Sequence, residues 1–125
     1  MKSLFRSIVA ILAVAPISVA AQPYGNCTFT QECFEGEACA DTDFGFELRI
    51  AGTATDQGEP LSIITDAETI SVFRPITFED GHVMAGQSRG QAVFLSVAPD
   101  GAARYSAHFN SDGFSITYTG TCEVP

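Results

Sequence analysis

The chain has 125 residues, 46% of them apolar, and 15 acidic side chains against six basic ones give a net charge of −9. That length suits one domain with a real but modest core. The negative field excludes nucleic acid and anionic lipid surfaces as partners, because binding either begins by neutralising its charge with Lys or Arg.

The N-terminus, MKSLFRSIVAILAVAPISVAAQ, reads as a secretory signal peptide. Lys2 and Arg6 form its positive n-region, residues 8 to 15 are apolar, and SVAA places small residues for cleavage after Ala20 or Ala21. Pro16 interrupts an apolar run already short of the ~20 residues of a membrane span. Cys27 follows PYGN, which lacks the small apolar residues expected before a lipidated cysteine. The expected organisation is a signal at residues 1–21 and a single domain at 22–125, exported to the periplasm or secreted, monomeric, with no membrane insertion after cleavage. The basic residues left to that domain are Arg49, Arg74, Arg89 and Arg104. They are expected on its outer face beside carboxylates.

A cysteine module follows at residues 27–39, CTFTQECFEGEAC, and the fourth cysteine, Cys122, lies near the other end. An even cysteine count in an oxidising compartment points to disulfides. The spacing is too wide for the close ligand pairs of structural zinc, and the C-x-x-C of redox centres is absent. Four cysteines allow three connectivities. The favoured one is Cys33–Cys39, closed around Gly36, with Cys27–Cys122 tying the domain's ends. Its rival is Cys27–Cys39 with Cys33–Cys122.

Beyond the module the pattern turns to period two, the signature of half-buried strands. FGFELRI puts Phe44, Phe46, Leu48 and Ile50 on one face and Glu47 and Arg49 on the other. AGTATDQGEP reads as a loop, LSIIT as a strand, DAE as a turn, and TISVF as a strand that stops before Pro75. ITFEDGHVMAG suggests two short strands meeting at Asp80–Gly81. AVFLSVAPDGAARYSAHF is a hairpin turning at Pro99–Gly101, with Val93, Leu95 and Val97 inward and Phe94 outward. FSITYTGTC closes the chain with Phe114, Ile116, Tyr118 and Cys122 on one side. No helical period appears. Seven or eight strands joined by short turns predict an all-β fold, a small antiparallel barrel or sandwich of meander type stapled by two disulfides. Most of the aromatic residues are expected in its core.

CTFTQECFEGEACADTDFGFEL and the closing YTGTCE resemble small exported, disulfide-containing proteins of alphaproteobacteria, a likeness that covers the cysteine module and the last strand. The resemblance implies a periplasmic location and brings no activity with it. It also implies that the glycosylation sequon at Asn26 is idle.

GQSRG matches the G-x-S-x-G of serine hydrolases, and Asp100 and His108 follow in the order of a triad. That chemistry needs a strand-to-helix turn on a large parallel sheet, which this pattern lacks, so Ser88 reads as a loop residue and no catalytic residue is assigned. DTDFG begins like a calcium loop, but Gly52 stands where the bidentate Glu belongs. A looser calcium site on Glu35, Glu37, Asp41 and Asp43 is the weaker alternative. His82 and His108 are expected at the surface. Neither a metal site nor a cofactor is expected. The remaining candidate is acidic. Glu32, Glu35, Glu37, Asp41 and Asp43 cluster with no base among them, either as a solvated rim or as a docking surface for a basic protein or envelope component. The expected function is therefore a non-enzymatic binding module of the cell envelope. The alternatives are a carrier of a small apolar ligand inside the barrel and an inhibitor of a basic enzyme such as lysozyme.

Overall fold

Nine antiparallel strands run up and down in chain order and close on themselves, in a computed structural model that describes residues 9–14, 22–76 and 80–125. They are β1 (Pro23–Phe34), β2 (Ala40–Asp41), β3 (Gly45–Ile50), β4 (Gly58–Ile64), β5 (Thr69–Pro75), β6 (His82–Ser88), β7 (Gln91–Val97), β8 (Ala102–Phe109) and β9 (Phe114–Glu123). Each strand from β3 to β9 pairs with its neighbour in sequence, β1 pairs with β3, and β1 also pairs with β9. The result is an eight-stranded closed barrel, with β2 added outside the circuit against the far end of β1. Closure leaves the barrel strands without a free edge. Both cleavage positions of the expected signal peptide lie outside the described residues, as do residues 77–79.

Period-two alternation builds the core. Cys27, Phe29, Phe46, Leu48, Leu61, Ile63, Ile70, Val72, Met84, Val93, Leu95, Val97, Ala103, Tyr105 and Ala107 point inward and are buried together. Outward neighbours are mostly polar, such as Glu47 and Arg49, whose ion pair measures 2.8 Å. Apolar inside and polar outside is the reverse of a lipid-facing barrel. Of the four arginines expected beside carboxylates, Arg49 and Arg74 are seen in ion pairs among the described residues, Arg74 reaching Glu59 at 3.2 Å. The hairpin at 98–101 turns as expected, Gly101 taking φ 92°.

The disulfides are Cys27–Cys122 and Cys33–Cys39. The first lies on the β1–β9 seam, where the two cysteines face each other in register and are 2% and 5% exposed. The second staples a turn outside the barrel, in which Gly36 takes φ 80°, a left-handed conformation that costs glycine little. Two intramolecular disulfides fit an oxidising compartment.

The cysteine module, to which the sequence pattern assigns no strand, lies largely in β1, the longest strand among the described residues. A bulge between Phe29 and Gln31 shifts the alternation there, so the run does not look period-two when read linearly. Of the two short strands expected to meet at Asp80–Gly81, the second is β6, which starts at His82 and pairs with β5, and the first lies almost wholly outside the described residues. Most of the domain's described aromatic residues lie in the core or pack against it, as expected, and Phe94 faces outward as its strand pattern predicts; Phe34 and Phe73 are also exposed.

Candidate functional site

The barrel has two rims. At one, β1 runs past the wall, turns back through Cys33–Cys39, and returns as β2 along Gln31 and Glu32. Backbone hydrogen bonds then fix the chain's re-entry: Thr42 N–H donates to Thr30 O at 3.1 Å and Phe29 N–H to Phe44 O at 2.8 Å. The Thr42 hydroxyl accepts from Phe44 N–H at 3.2 Å. This flap holds Glu32, Asp43 and Phe44 over the barrel end.

Across the opening stands the β4–β5 turn, tied by one side chain. Thr65 Oγ1 accepts from Ala67 N–H at 3.2 Å and from Glu68 N–H at 3.0 Å. The turn presents Asp66. Between flap and turn lies a cleft of about 420 Å³ whose lining includes Glu32, Asp43, Phe44, Asp66 and Tyr118 and no basic residue. Phe44 and Tyr118 form its floor, with ring centroids 4.5 Å apart and planes tilted by 34°. Phe29, Phe46 and Tyr105 pack around and beneath them as one aromatic cluster. Burial raises the Tyr118 hydroxyl above the ordinary tyrosine value, and the charge of Glu32 raises it further. The floor therefore stays a neutral phenol while carboxylates surround it.

The five acidic residues singled out from sequence thus divide. Glu32 and Asp43 line the cleft. Glu35 instead ties the flap to β9, its carboxylate accepting from Ser115 N–H at 3.1 Å. Glu37 sits exposed on the stapled turn and Asp41 exposed on β2. Asp66, Phe44 and Tyr118 were not foreseen as site residues. The DAE turn was the available signal for Asp66, but nothing local says that it faces the cysteine module. Among the described residues no three His, Cys, Asp or Glu side chains form a group able to hold a metal ion.

Ser88 is engaged elsewhere. Its hydroxyl donates to Glu68 Oε2 at 2.8 Å, and Gln91 Nε2 donates to Glu68 Oε1. Glu68 so binds the β4–β5 turn to the β6–β7 turn. Asp100 accepts from Ala102 N–H at 3.0 Å within its own turn, at the other end of β7 and roughly 20 Å from Ser88 by strand rise. His108 is exposed on β8, opposite Ala92 and Ser115. The three do not assemble as a triad.

The opposite rim is closed by polar contacts. The Tyr24 hydroxyl and His82 Nδ1 share a hydrogen bond of 2.9 Å, and His82 Nε2 lies 2.8 Å from Pro125 O. His82 is therefore half-buried rather than a free surface residue. A second concavity, about 480 Å³, lies on the outer wall beside the Asp80 and Pro99 turns. It is lined largely by small residues, has Asp80 and Arg104 of opposite charge, and lacks an aromatic floor. The barrel interior itself is occupied by Phe29, Leu48, Leu61, Ile63, Ile70, Met84 and Leu95, all fully buried. Comparison of the chain with protein-family models, with curated proteins and with solved structures finds no match.

Proposed function

We propose that this protein is an exported, non-enzymatic binding module of the cell envelope, in the periplasm or outside it, whose rim cleft takes a cationic side chain from a basic protein. The observation that carries the proposal is three carboxylates, Glu32, Asp43 and Asp66, set around the Phe44–Tyr118 floor with no cation among them. An aromatic face attracts a guanidinium or ammonium through its quadrupole, by about 0.5–2 kcal/mol depending on desolvation. Exposed carboxylates add about 0.2–1 kcal/mol each and are weakened by salt. Together these make a cleft that selects a cation with an apolar stem, which is what Arg and Lys present.

Inhibition of a basic enzyme such as lysozyme is one form this binding takes, with the acidic field steering encounter. Carriage of an apolar ligand is disfavoured by the interior, which a barrel of this size fills with its own side chains.

The test is calorimetric titration of the exported, oxidised protein with lysozyme and with a tetra-arginine peptide, at low and high salt. The expected result is salt-sensitive binding that weakens at least about tenfold in the triple variant Glu32→Gln, Asp43→Asn, Asp66→Asn. Glu37→Gln, on the turn away from the cleft, leaves affinity within about twofold. Absence of binding to either probe overturns the proposal, as does equal weakening by both sets of substitutions.

A further inference from the structure

The carboxylates are unevenly placed on the barrel. None occurs in β5, β6, β7 or β8, which form one continuous wall. An outward row crosses this wall in register: Phe73 opposite Ala85, Ala85 opposite Phe94, and Phe94 opposite Ser106. Phe73 is 40% exposed and Phe94 46%, so two aromatic ridges flank a groove floored by Ala85. With strands about 4.8 Å apart the ridges stand roughly 10 Å from each other, room for one phenyl ring between them.

We propose that this wall is a self-association face, on which two copies of the chain pack about a two-fold axis with each Phe94 seated on the other copy's Ala85. The shape is self-complementary. A two-fold lying in the interface, parallel to the strands and midway between β6 and β7, exchanges Ala85 with Phe94 and Phe73 with Ser106, so ridge meets groove in both directions. The charge also selects a second copy. A chain of net charge −9 repels itself through its acid-bearing faces, and here two copies meet without opposed carboxylates.

The area sets the strength. Four strands about seven residues long cover roughly 23 by 19 Å, and the barrel's curvature lifts the outer strands away from contact. Each copy then buries less than the ~800 Å² of a standard interface, which makes the dimer weak and dependent on concentration. The expectation of a monomer, drawn from sequence, is confined to dilute protein.

The test is sedimentation velocity of the exported, oxidised protein from about 10 µM to about 1 mM, paired with amide chemical shifts over the same range. The expected result is a rising sedimentation coefficient, with Ala85, Phe94 and Ser106 shifting and the cysteine flap unmoved. Added salt strengthens association by screening the net charge. Phe94→Glu and Phe73→Ser each weaken it at least about tenfold, while melting temperature and near-ultraviolet dichroism stay near wild type because both rings are exposed. A monomer throughout the range overturns the proposal. So does association that survives Phe94→Glu, that maps to the flap, or that requires added lipid vesicles.

Discussion

Removing Cys27–Cys122 should cost far more stability than removing Cys33–Cys39, because the two bonds close loops of very different length. Their sequence separations are 95 and 6. In the chain-entropy description the loss grows with the logarithm of loop length, giving about 4.7 kcal/mol for the long loop and about 2.3 kcal/mol for the short one. The Cys27 and Cys122 side chains are also buried in the seam, so replacing them with Ala adds a packing loss of about 1 kcal/mol. The flap cysteines sit at the rim, where such a loss is small. Guanidinium denaturation of Cys27→Ala/Cys122→Ala and Cys33→Ala/Cys39→Ala, against the parent, measures both. Expected losses are about 5–6 and about 2 kcal/mol, and the first lowers the melting temperature by roughly 20 °C. Equal losses in the two variants, or a loss under about 2 kcal/mol for the seam pair, would show that loop length does not set what each bond contributes.

Gly120 faces Phe29 where β1 bulges, and a Cβ there would overlap the Thr28 carbonyl oxygen. Gly120→Ala is expected to lose about 2–3 kcal/mol by urea denaturation, by prising the β1–β9 seam apart. Stability should also fall at high pH. Burial holds the Tyr105 hydroxyl far above its usual range, with the charge of Glu68 adding to the shift, and burial raises Tyr24 and Tyr118 in the same direction. The unfolded chain releases these protons near pH 10 while the folded chain keeps them, so the unfolded state binds fewer protons. Their contribution is fully present below about pH 10 and is lost as the pH rises from there through the folded values. Denaturation curves from neutral to alkaline pH check this, with a shallower decline in Tyr105→Phe. Finally, Glu68→Ala removes the acceptor shared by Ser88 and Gln91 and should cost about 1–2 kcal/mol, read by thermal melting.

The strands that the sequence displayed best are those with unbroken alternation. β7, β8 and β9 carry inward rows at every second residue, and their turns use Pro99 and Gly101 as expected. β1 was hidden for a physical reason. Its inward positions pass from Cys27 and Phe29 to the half-buried Glu32 across a bulge, and a strand whose phase slips loses its period. Register decided which acidic residues share a site. Glu32 lies opposite Tyr118 on β9, far away in sequence, and closure of the barrel, which has no local signature, makes them neighbours. Phe44 and Tyr118 looked like core residues because their spacing is that of an inward row. At the rim the same spacing leaves a ring face open to the cleft. The disulfide pairing was easier to anticipate, since a glycine-centred loop and a bond between the domain's ends are geometrically simple.

The cleft's preference for cations is tested most directly by nuclear magnetic resonance, titrating the tetra-arginine peptide into the exported, oxidised protein while following side-chain ring and carboxylate signals. Saturable shifts are expected at Phe44, Tyr118, Glu32, Asp43 and Asp66, reversed by salt and absent when a tetra-aspartate peptide is used. Shifts scattered among Glu37, Asp100 and Glu123, or none at the two rings, would contradict that preference.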